Sequence, residues 1–340
     1  MINDLHSPKK PFRILSIDGG GIRGILPISL LSEIEGHLIA DGKQKAIWEH
    51  FDLITGTSTG GIIALALALG IPAKEVLEMY VSKAKTIFGN KKSILGRIFY
   101  SSHDRVDLED IIRNLFSSYN KGKDPLVGDC KTDIAIPVYD LNRGQPKVIK
   151  SKYHPIFTRD YQIPAYMVAL ATAAAPTFFD PYSSCYADVT NKKVDFLNNI
   201  DGGVFANNPS LGCLIEVQQS FKVNLKDVKM LSIGTGHYRN LDNQQRSNYG
   251  LRYWIKKQRL TEVFLQAQAQ EVENLISLLK NGIGRSEPDR FTYLRLDSEL
   301  DEKTRVDLDE IRPEKLNKLA SLGKGLWDKN SDSILKDFFS

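Results

Sequence analysis

The stretch PFRILSIDGGGIRGILPISLL, residues 11–31, places a glycine-rich loop between an apolar run and a helical pattern. FRILSID (12–18) is typical of a buried strand. ILPISLLSEIEGHLIADG (25–42) has apolar residues at helical spacing and ends on a glycine. In such a loop, backbone N–H groups crowd together, and the helix start adds partial positive charge. The stretch therefore predicts a strand, an anion-binding turn and a helix.

The same loop matches the dinucleotide-binding pattern G-x-G-x-x-G through Gly19, Gly21 and Gly24. A dinucleotide fold also needs a second strand that ends in an acid about 20 residues later. The corresponding segment, LIADGKQKAIWEH (38–50), has no strand before Asp41. No Gly-Lys-Ser/Thr follows the glycines either, which argues against a P-loop. A dinucleotide, a plain tight turn and a transient oxyanion remain as alternatives for this loop.

Apolar strand patterns alternate with helical patterns along the rest of the chain. TDIAIPVYDL (132–141), VDFLNNID (194–201) and VKMLSI (228–233) read as strands. This alternation predicts one α/β domain with a mainly parallel sheet. Active sites in such sheets lie at the carboxyl ends of strands, where glycine clusters recur in this chain.

GTSTG (56–60) is one of these clusters and has the form G-x-S-x-G. It follows a short apolar run, 51–54, and opens an apolar helix, which is the context of a nucleophile elbow. Gly56 and Gly60 remove side chains where the chain bends and the helix passes the strand. Ser58 is then the candidate nucleophile. An ordinary helix cap is the alternative.

A serine nucleophile needs a group that takes its proton. Asp201, followed by Gly202 and Gly203, lies at a predicted strand exit, and His237 lies at another. Chain order allows a Ser–Asp–His triad of Ser58, Asp201 and His237. Asp201 acting alone as the base is the second option, and an Asp-Gly turn without chemistry is the third.

Composition narrows the class of protein. The net charge of +4 (45 basic and 41 acidic residues among 340) is too small to favour nucleic-acid binding. Three dispersed cysteines indicate free thiols in a reducing compartment. The longest apolar run, 61–71, is short of the roughly 20 residues that span a bilayer. With no apolar leader at the start, a cytoplasmic protein is expected.

Three motifs in order, DGGGIRG (18–24), GTSTGG (56–61) and DGG (201–203), resemble those of the patatin-like phospholipase family. The resemblance extends from about residue 12 to about residue 325 through ATAAAPTFF (171–179), LSIGTG (231–236) and LDEIRPEKLNKLASLG (308–323). Many family members have Asp-Gly-Ala where this chain has Asp-Gly-Gly.

The resemblance implies a three-layer α/β/α sandwich and a lipid acyl hydrolase with a Ser–Asp dyad and no catalytic histidine. Ser58 would be the nucleophile and Asp201 the general base. The oxyanion hole would be formed by the loop N–H groups, with an arginine close by: Gly19, Gly20, Gly21 and Arg23. Glycines that shape the elbow and loops would be Gly24, Gly56, Gly60, Gly202 and Gly203. The resemblance implies neither a metal nor a cofactor.

The expected organisation is a flexible lead (1–11), a single catalytic domain (12–325) and a helical tail (326–340). The expected substrate is a membrane phospholipid or another acyl lipid, met in transient contact with the membrane surface. Residues 86–105, where the apolar groups IF, IL and IFY stand among lysines, are a candidate interfacial segment. An alternative is a hydrolase gated by an activator, because some patatin-type proteins resemble antiviral effectors that a cyclic nucleotide switches on.

Overall fold

A computed structural model describes most of the chain. The described residues are 10–42, 46–89, 101–238, 249–250, 253–254, 258–281, 290–300 and 305–339. The predicted lead falls almost wholly outside them, as does most of the candidate interfacial segment.

The secondary structure alternates between strands and helices. The strands are β1 Phe12–Ile17, β2 Leu53–Gly56, β3 Asp133–Asp140, β4 Gln145–Lys150, β5 Tyr182–Ala187, β6 Lys193–Asp201, β7 Val228–Ile233, β8 His237–Tyr238, β9 Thr292–Leu296 and β10 Glu299–Leu300. The helices are α1 Ile25–Ala40, α2 Thr59–Ala68, α3 Ala73–Phe88, α4 Val106–Ser118, α5 Ala165–Thr172, α6 Gly203–Ala206, α7 Ser210–Ser220, α8 Arg259–Asn281 and α9 Pro313–Phe338.

Five parallel strands form the centre of the main sheet, in the order β3-β2-β1-β7-β9. Ile14 of β1 lies between Leu53 of β2 and Met230 of β7. These side chains are fully buried because helices cover both faces of the sheet. The prediction of a mainly parallel sheet is confirmed.

Neighbouring side chains of β1 enter two separate cores, which defines the layers. Leu15 and Ile17 pack with α1, α2, α3, α4, α5 and α9 on one face. Ile14 packs on the other face with Leu214 of α7 and Ile276 of α8. The predicted three-layer α/β/α sandwich is thus confirmed.

An antiparallel arm extends the sheet beyond β3. β4 pairs with β3 along one edge, from Ala135 to Asp140. Two strands share the other edge of β3. β2 pairs with residues 133–135 of β3, and β6 pairs with residues 138–140. β2 and β6 therefore approach each other end to end along a single edge of β3.

Two helices differ from the sequence prediction. The run IPAYMVALATAAAPTFF (163–179) predicts a helix broken at Pro176, but the helix already ends at Thr172. It ends there because the chain turns to lie on β3 and β6: the Thr172 hydroxyl donates to Pro137 O (2.7 Å), and Ala174 O accepts from Asp201 N–H (3.0 Å). The predicted division at residue 325 falls inside α9, one continuous helix that packs on α1. That domain division remains a prediction.

Candidate active site

Ser58 stands at the turn between β2 and α2. Its backbone has φ 55° and ψ −122°, a conformation that costs a non-glycine residue about 1–3 kcal/mol. Its N–H donates to the Thr172 hydroxyl (3.1 Å), which supports the turn from α5. Its side chain makes no capping hydrogen bond, so the alternative interpretation as a helix cap does not fit. The strained strand-to-helix turn has the form of a nucleophile elbow.

Glycines allow α2 to lie directly on the strands. A Cβ on Gly56 would lie 2.1 Å from the carbonyl oxygen of Gly60. A Cβ on Gly60 would lie 2.4 Å from that of Ile17. At the start of α1, a Cβ on Gly24 would lie 2.2 Å from the Thr59 hydroxyl. Any side chain at these positions would push the elbow away from β1 and the glycine loop.

The sheet register brings Asp201 to Ser58. Thr55 of β2 lies opposite Ala135 of β3, and the elbow serine follows three residues after Thr55. Asp201, the last residue of β6, lies opposite Val138, three residues beyond Ala135 on the same edge. Two strands that approach head-on therefore deliver both side chains to one level of the sheet.

The backbone around Asp201 fixes its carboxyl group. Asp201 N–H donates to Ala174 O (3.0 Å), and Gly203 N–H donates to Asp201 Oδ1 (2.7 Å). A Cβ on Gly202 would lie 2.4 Å from Pro137 O, so the chain after the aspartate can pass β3 only as glycine. The tight turn holds the carboxyl group while leaving one of its oxygens for other partners.

Burial and hydrogen bonds set the pKa of the Asp201 carboxyl group. It is 5% exposed, and burial raises the pKa of Asp201 to about 7. Hydrogen bonds with the Ser58 hydroxyl and the Gly203 N–H act in the opposite direction on this pKa. A base is most effective when its pKa lies near the working pH. This carboxylate can therefore accept a proton that an exposed aspartate would not hold.

The glycine loop presents N–H groups beside the elbow. Gly20 and Gly21 line the same cavity as Ser58, and so does Thr59, the residue after the serine. The N–H groups of these three residues have no hydrogen-bond partner among the described residues. The prediction for Gly19 needs correction, because its N–H already donates to Asn207 O (3.0 Å).

Arg23 does not place its charge beside the free N–H groups of the glycine loop. Its guanidinium donates from Nη1 and Nη2 to Glu262 Oε2 on α8 (3.3 and 3.2 Å) and lies 5.8 Å from the ring centre of Tyr238. Both charged side chains are almost fully buried, 3% and 4% exposed. The predicted oxyanion role of Arg23 is corrected to that of an ion pair that joins the loop to α8.

His237 belongs to a different group of side chains. Its Nδ1 lies 3.1 Å from Asp297 Oδ2, and this hydrogen bond raises the pKa of His237. Asp297 also contacts Arg295 (3.4 Å), which binds both carboxylate oxygens of Asp18. His237 does not line the cavity that holds Ser58. The geometry thus favours the dyad over the triad that chain order allowed.

A cavity of about 400 Å³ opens in front of Ser58 and Asp201. Besides these two residues, its polar lining includes Thr59, Tyr80, Asn207 and Gln268. The remaining wall is mostly apolar and includes Ile62, Leu108, Phe178, Phe179, Leu260 and Phe264. The arrangement can hold a long apolar chain with an ester group at Ser58.

Sequence reasoning missed several supporting residues. Thr172 holds the elbow N–H, Asn207 holds the glycine loop, and Glu262 neutralises Arg23. Thr172 gave a weak signal, as a lone hydroxyl within an alanine-rich run. Glu262 gave none, because it lies 239 residues from its partner.

The model for one protein family, described as patatin-like phospholipase, matches residues 15–213, more than half of the chain. The chain belongs to the patatin-like phospholipase family. The resemblance of its motifs to that family is thereby confirmed, and the protein is a lipid ester hydrolase.

Full-length relatives support this membership. A cGAMP-activated phospholipase of Escherichia coli is 33% identical over 99% of this chain and 96% of its own length. A protein of the same name from Vibrio cholerae is 33% identical over 97% of this chain and 95% of its own length. Patatin-like protein 3 of Arabidopsis thaliana is 30% identical over 94% and 82%, respectively.

Membrane-spanning helices are absent from the part of the patatin-like chain that the structure describes. None of the helices there combines the length and apolar composition needed to cross a bilayer.

Proposed function

We propose that this protein hydrolyses acyl esters of membrane phospholipids through a dyad of Ser58 and Asp201. The observation that carries the proposal is the strained elbow, which presents Ser58 to a buried Asp201 in the wall of a mostly apolar cavity. The apolar wall suits an acyl chain, and the N–H groups beside Ser58 suit its ester carbonyl.

The first half of the reaction forms an acyl-enzyme. Asp201 accepts the hydroxyl proton as the Ser58 Oγ bonds to the acyl carbonyl carbon. The N–H groups of Gly20, Gly21 and Thr59 stabilise the negative carbonyl oxygen. The bond to the lysolipid oxygen then breaks, and that oxygen takes the proton from Asp201.

The second half releases the fatty acid. Asp201, again a carboxylate, accepts a proton from water as the water oxygen bonds to the acyl carbon. The same N–H groups hold the second oxyanion, and the ester bond to Ser58 Oγ breaks. The serine recovers its proton from Asp201, which returns the site to its starting state.

A covalent probe tests this assignment. A fluorophosphonate with an alkyl tail should add one phosphonyl group at Ser58, detected by mass spectrometry of the peptide that contains residue 58. Ser58→Ala should take no label, and Asp201→Asn should label far more slowly than wild type. Equal labelling of Ser58→Ala, or labelling at another residue, would remove Ser58 as the nucleophile.

We also propose, as a second candidate, that the activity is gated by a cyclic dinucleotide. Support comes from the two bacterial relatives named cGAMP-activated phospholipases, which align over nearly their whole length. Fatty acid release from vesicles should then rise at least tenfold when cGAMP is added. An equal rate with and without cGAMP would reject gating by this nucleotide and leave the Ser58 chemistry untouched.

Transient contact with a membrane surface and a cytoplasmic location complete the proposal. The first follows from the substrate, since a phospholipid must leave its bilayer to reach the cavity. The second rests on the pattern of three unpaired cysteines, Cys130, Cys185 and Cys213.

A further inference from the structure

α8 carries a row of exposed apolar side chains along one face. Leu260, Phe264, Leu275 and Leu278 are 44%, 59%, 43% and 52% exposed. Their spacing of four, eleven and three residues keeps them on the same side of a helix. They form two apolar pairs, and the exposed Glu271 lies between the pairs on this face. Leucine and phenylalanine this exposed, in one row, are unusual for a surface that faces only water.

The row continues into the catalytic cavity. Leu260 and Phe264 are half exposed on the surface and also line the cavity that contains Ser58. Val204 of α6, 41% exposed, contributes to the same wall. The exposed apolar side chains of Leu260 and Phe264 therefore connect the outside of α8 with the cavity that contains Ser58.

The opposite face of α8 is firmly attached to the protein. Ile276 is fully buried in the core beneath α7 and the sheet. Glu262 pairs with Arg23 of the glycine loop, and Gln268 Nε2 donates to Val204 O (3.1 Å) while its Oε1 accepts from Asn207 N–H (3.3 Å). The helix is thus a fixed wall, and its exposed row does not depend on a partner to become ordered.

We propose that this row on α8 is the face that docks on a lipid bilayer. The inference rests on the proposed phospholipid substrate. A lipid that passes from the bilayer to Ser58 along Leu260 and Phe264 stays on apolar surface throughout, which avoids exposing its chain to water. A second copy of the chain seated on the row would cover this entrance. A bilayer covers the row and at the same time supplies lipid to the entrance.

The docking energy comes mainly from apolar side chains that enter the interface between headgroups and acyl chains. Leu260 and Phe264 at the entrance contribute most, and Leu275 and Leu278 extend the contact along the helix. Replacing the first two with serine should weaken vesicle binding about tenfold or more.

Flotation with phosphatidylcholine vesicles, with and without phosphatidylglycerol, measures this binding. All variants carry Ser58→Ala, so that no lipid is consumed. Leu260→Ser/Phe264→Ser is compared with Ile156→Ser/Val189→Ser, a matched loss of two exposed apolar side chains, each 73% exposed, on another part of the surface. The first pair should bind about tenfold or more weakly on both vesicles, and the second should bind as the parent does, with melting temperatures unchanged. Equal binding by both pairs, or binding to the anionic vesicles alone, would overturn the proposal.

Two further measurements distinguish a failure of the docking proposal from a failure of the proposed function. Hydrolysis of a dissolved short-chain ester by the wild-type chain needs Ser58 but no bilayer, so its absence both with and without cGAMP would count against the proposed function. Its presence together with unaltered vesicle binding by the α8 variant would reject only the docking face. A dimer in solution that Leu275→Ser/Leu278→Ser converts to a monomer would also overturn it, since a second copy would then occupy the row.

Discussion

Asp201 lies at the end of β6 with its carboxyl group 5% exposed, and burial raises the pKa of Asp201 to about 7. In the unfolded chain the pKa of this carboxyl group is lower, so ionisation of Asp201 does not stabilise the folded state. What the site gains is a carboxylate basic enough to accept a proton from Ser58. In the proposed mechanism, this residue provides the base at some cost to the stability of the fold.

The pH dependence of hydrolysis should reveal this carboxyl group. Because the reaction uses the deprotonated base, kcat/KM on a dissolved ester should rise about tenfold per pH unit below pH 7 and level off above it. Circular dichroism over the same pH range checks that the fold persists. A rate that stays flat from pH 8 down to pH 5 in a folded protein would contradict the role of Asp201.

Removing the charge of Asp201 should change stability and activity in opposite directions. A buried acid with a raised pKa destabilises the folded state as pH rises through that pKa. Asp201→Asn should therefore raise the melting temperature at pH 8 while hydrolysis falls by about a hundredfold or more. Asp195→Asn, an exposed change on the same strand, should alter neither property. Retained activity in Asp201→Asn would count against the dyad.

At the scale of elements, the Arg23–Glu262 pair fastens the glycine loop to α8. Removing one partner of a buried ion pair leaves an uncompensated charge and costs about 3–5 kcal/mol. Glu262→Gln should lower the free energy of unfolding by this order, measured by urea denaturation. Arg23→Met/Glu262→Met should recover much of the loss. No difference between the single and double variants would mean that the pair does not hold the two elements together.

The contact of α2 with the strands depends on glycine. Gly56→Ala places a methyl group 2.1 Å from a backbone oxygen, so the elbow must move, and activity should fall by more than tenfold along with the melting temperature. Gly36→Ala, on an exposed part of α1 with nothing within 4 Å of the new methyl group, should stabilise the helix by about 0.5–1 kcal/mol and keep activity. Equal behaviour of the two variants would remove the close-contact explanation.

Local patterns in the sequence predicted the elements that carry the chemistry. The apolar run before Asp18, the GTSTG turn and the DGG exit each depend on adjacent residues, so the strand, the elbow and the candidate dyad could be anticipated. The antiparallel arm could not, because the pairing of β6 with β3 joins residues about 60 positions apart and leaves no mark on either segment. For the same reason, the charge of Arg23 was predicted at the oxyanion, whereas Glu262 neutralises it.

At the scale of the whole molecule, the C-terminal residues behave as part of the core. Ile334 and Phe338 are fully buried, and Phe338 and Phe339 pack near Phe51 at ring distances of 6.3 and 5.6 Å. Deletion of residues 326–340 should therefore lower the melting temperature markedly and reduce soluble yield. A truncated chain that melts as the full chain does would support the division at residue 325 predicted from the sequence.

The first measurement is fatty acid release from phosphatidylcholine vesicles without calcium, by wild type, Ser58→Ala and His237→Ala, each with and without cGAMP. We expect wild type and His237→Ala to release fatty acid in at least one condition, and Ser58→Ala to release none in either. Loss of activity in His237→Ala with its fold intact would restore the triad. Release by Ser58→Ala, or silence of the wild type in both conditions, would contradict a Ser58–Asp201 phospholipid hydrolase.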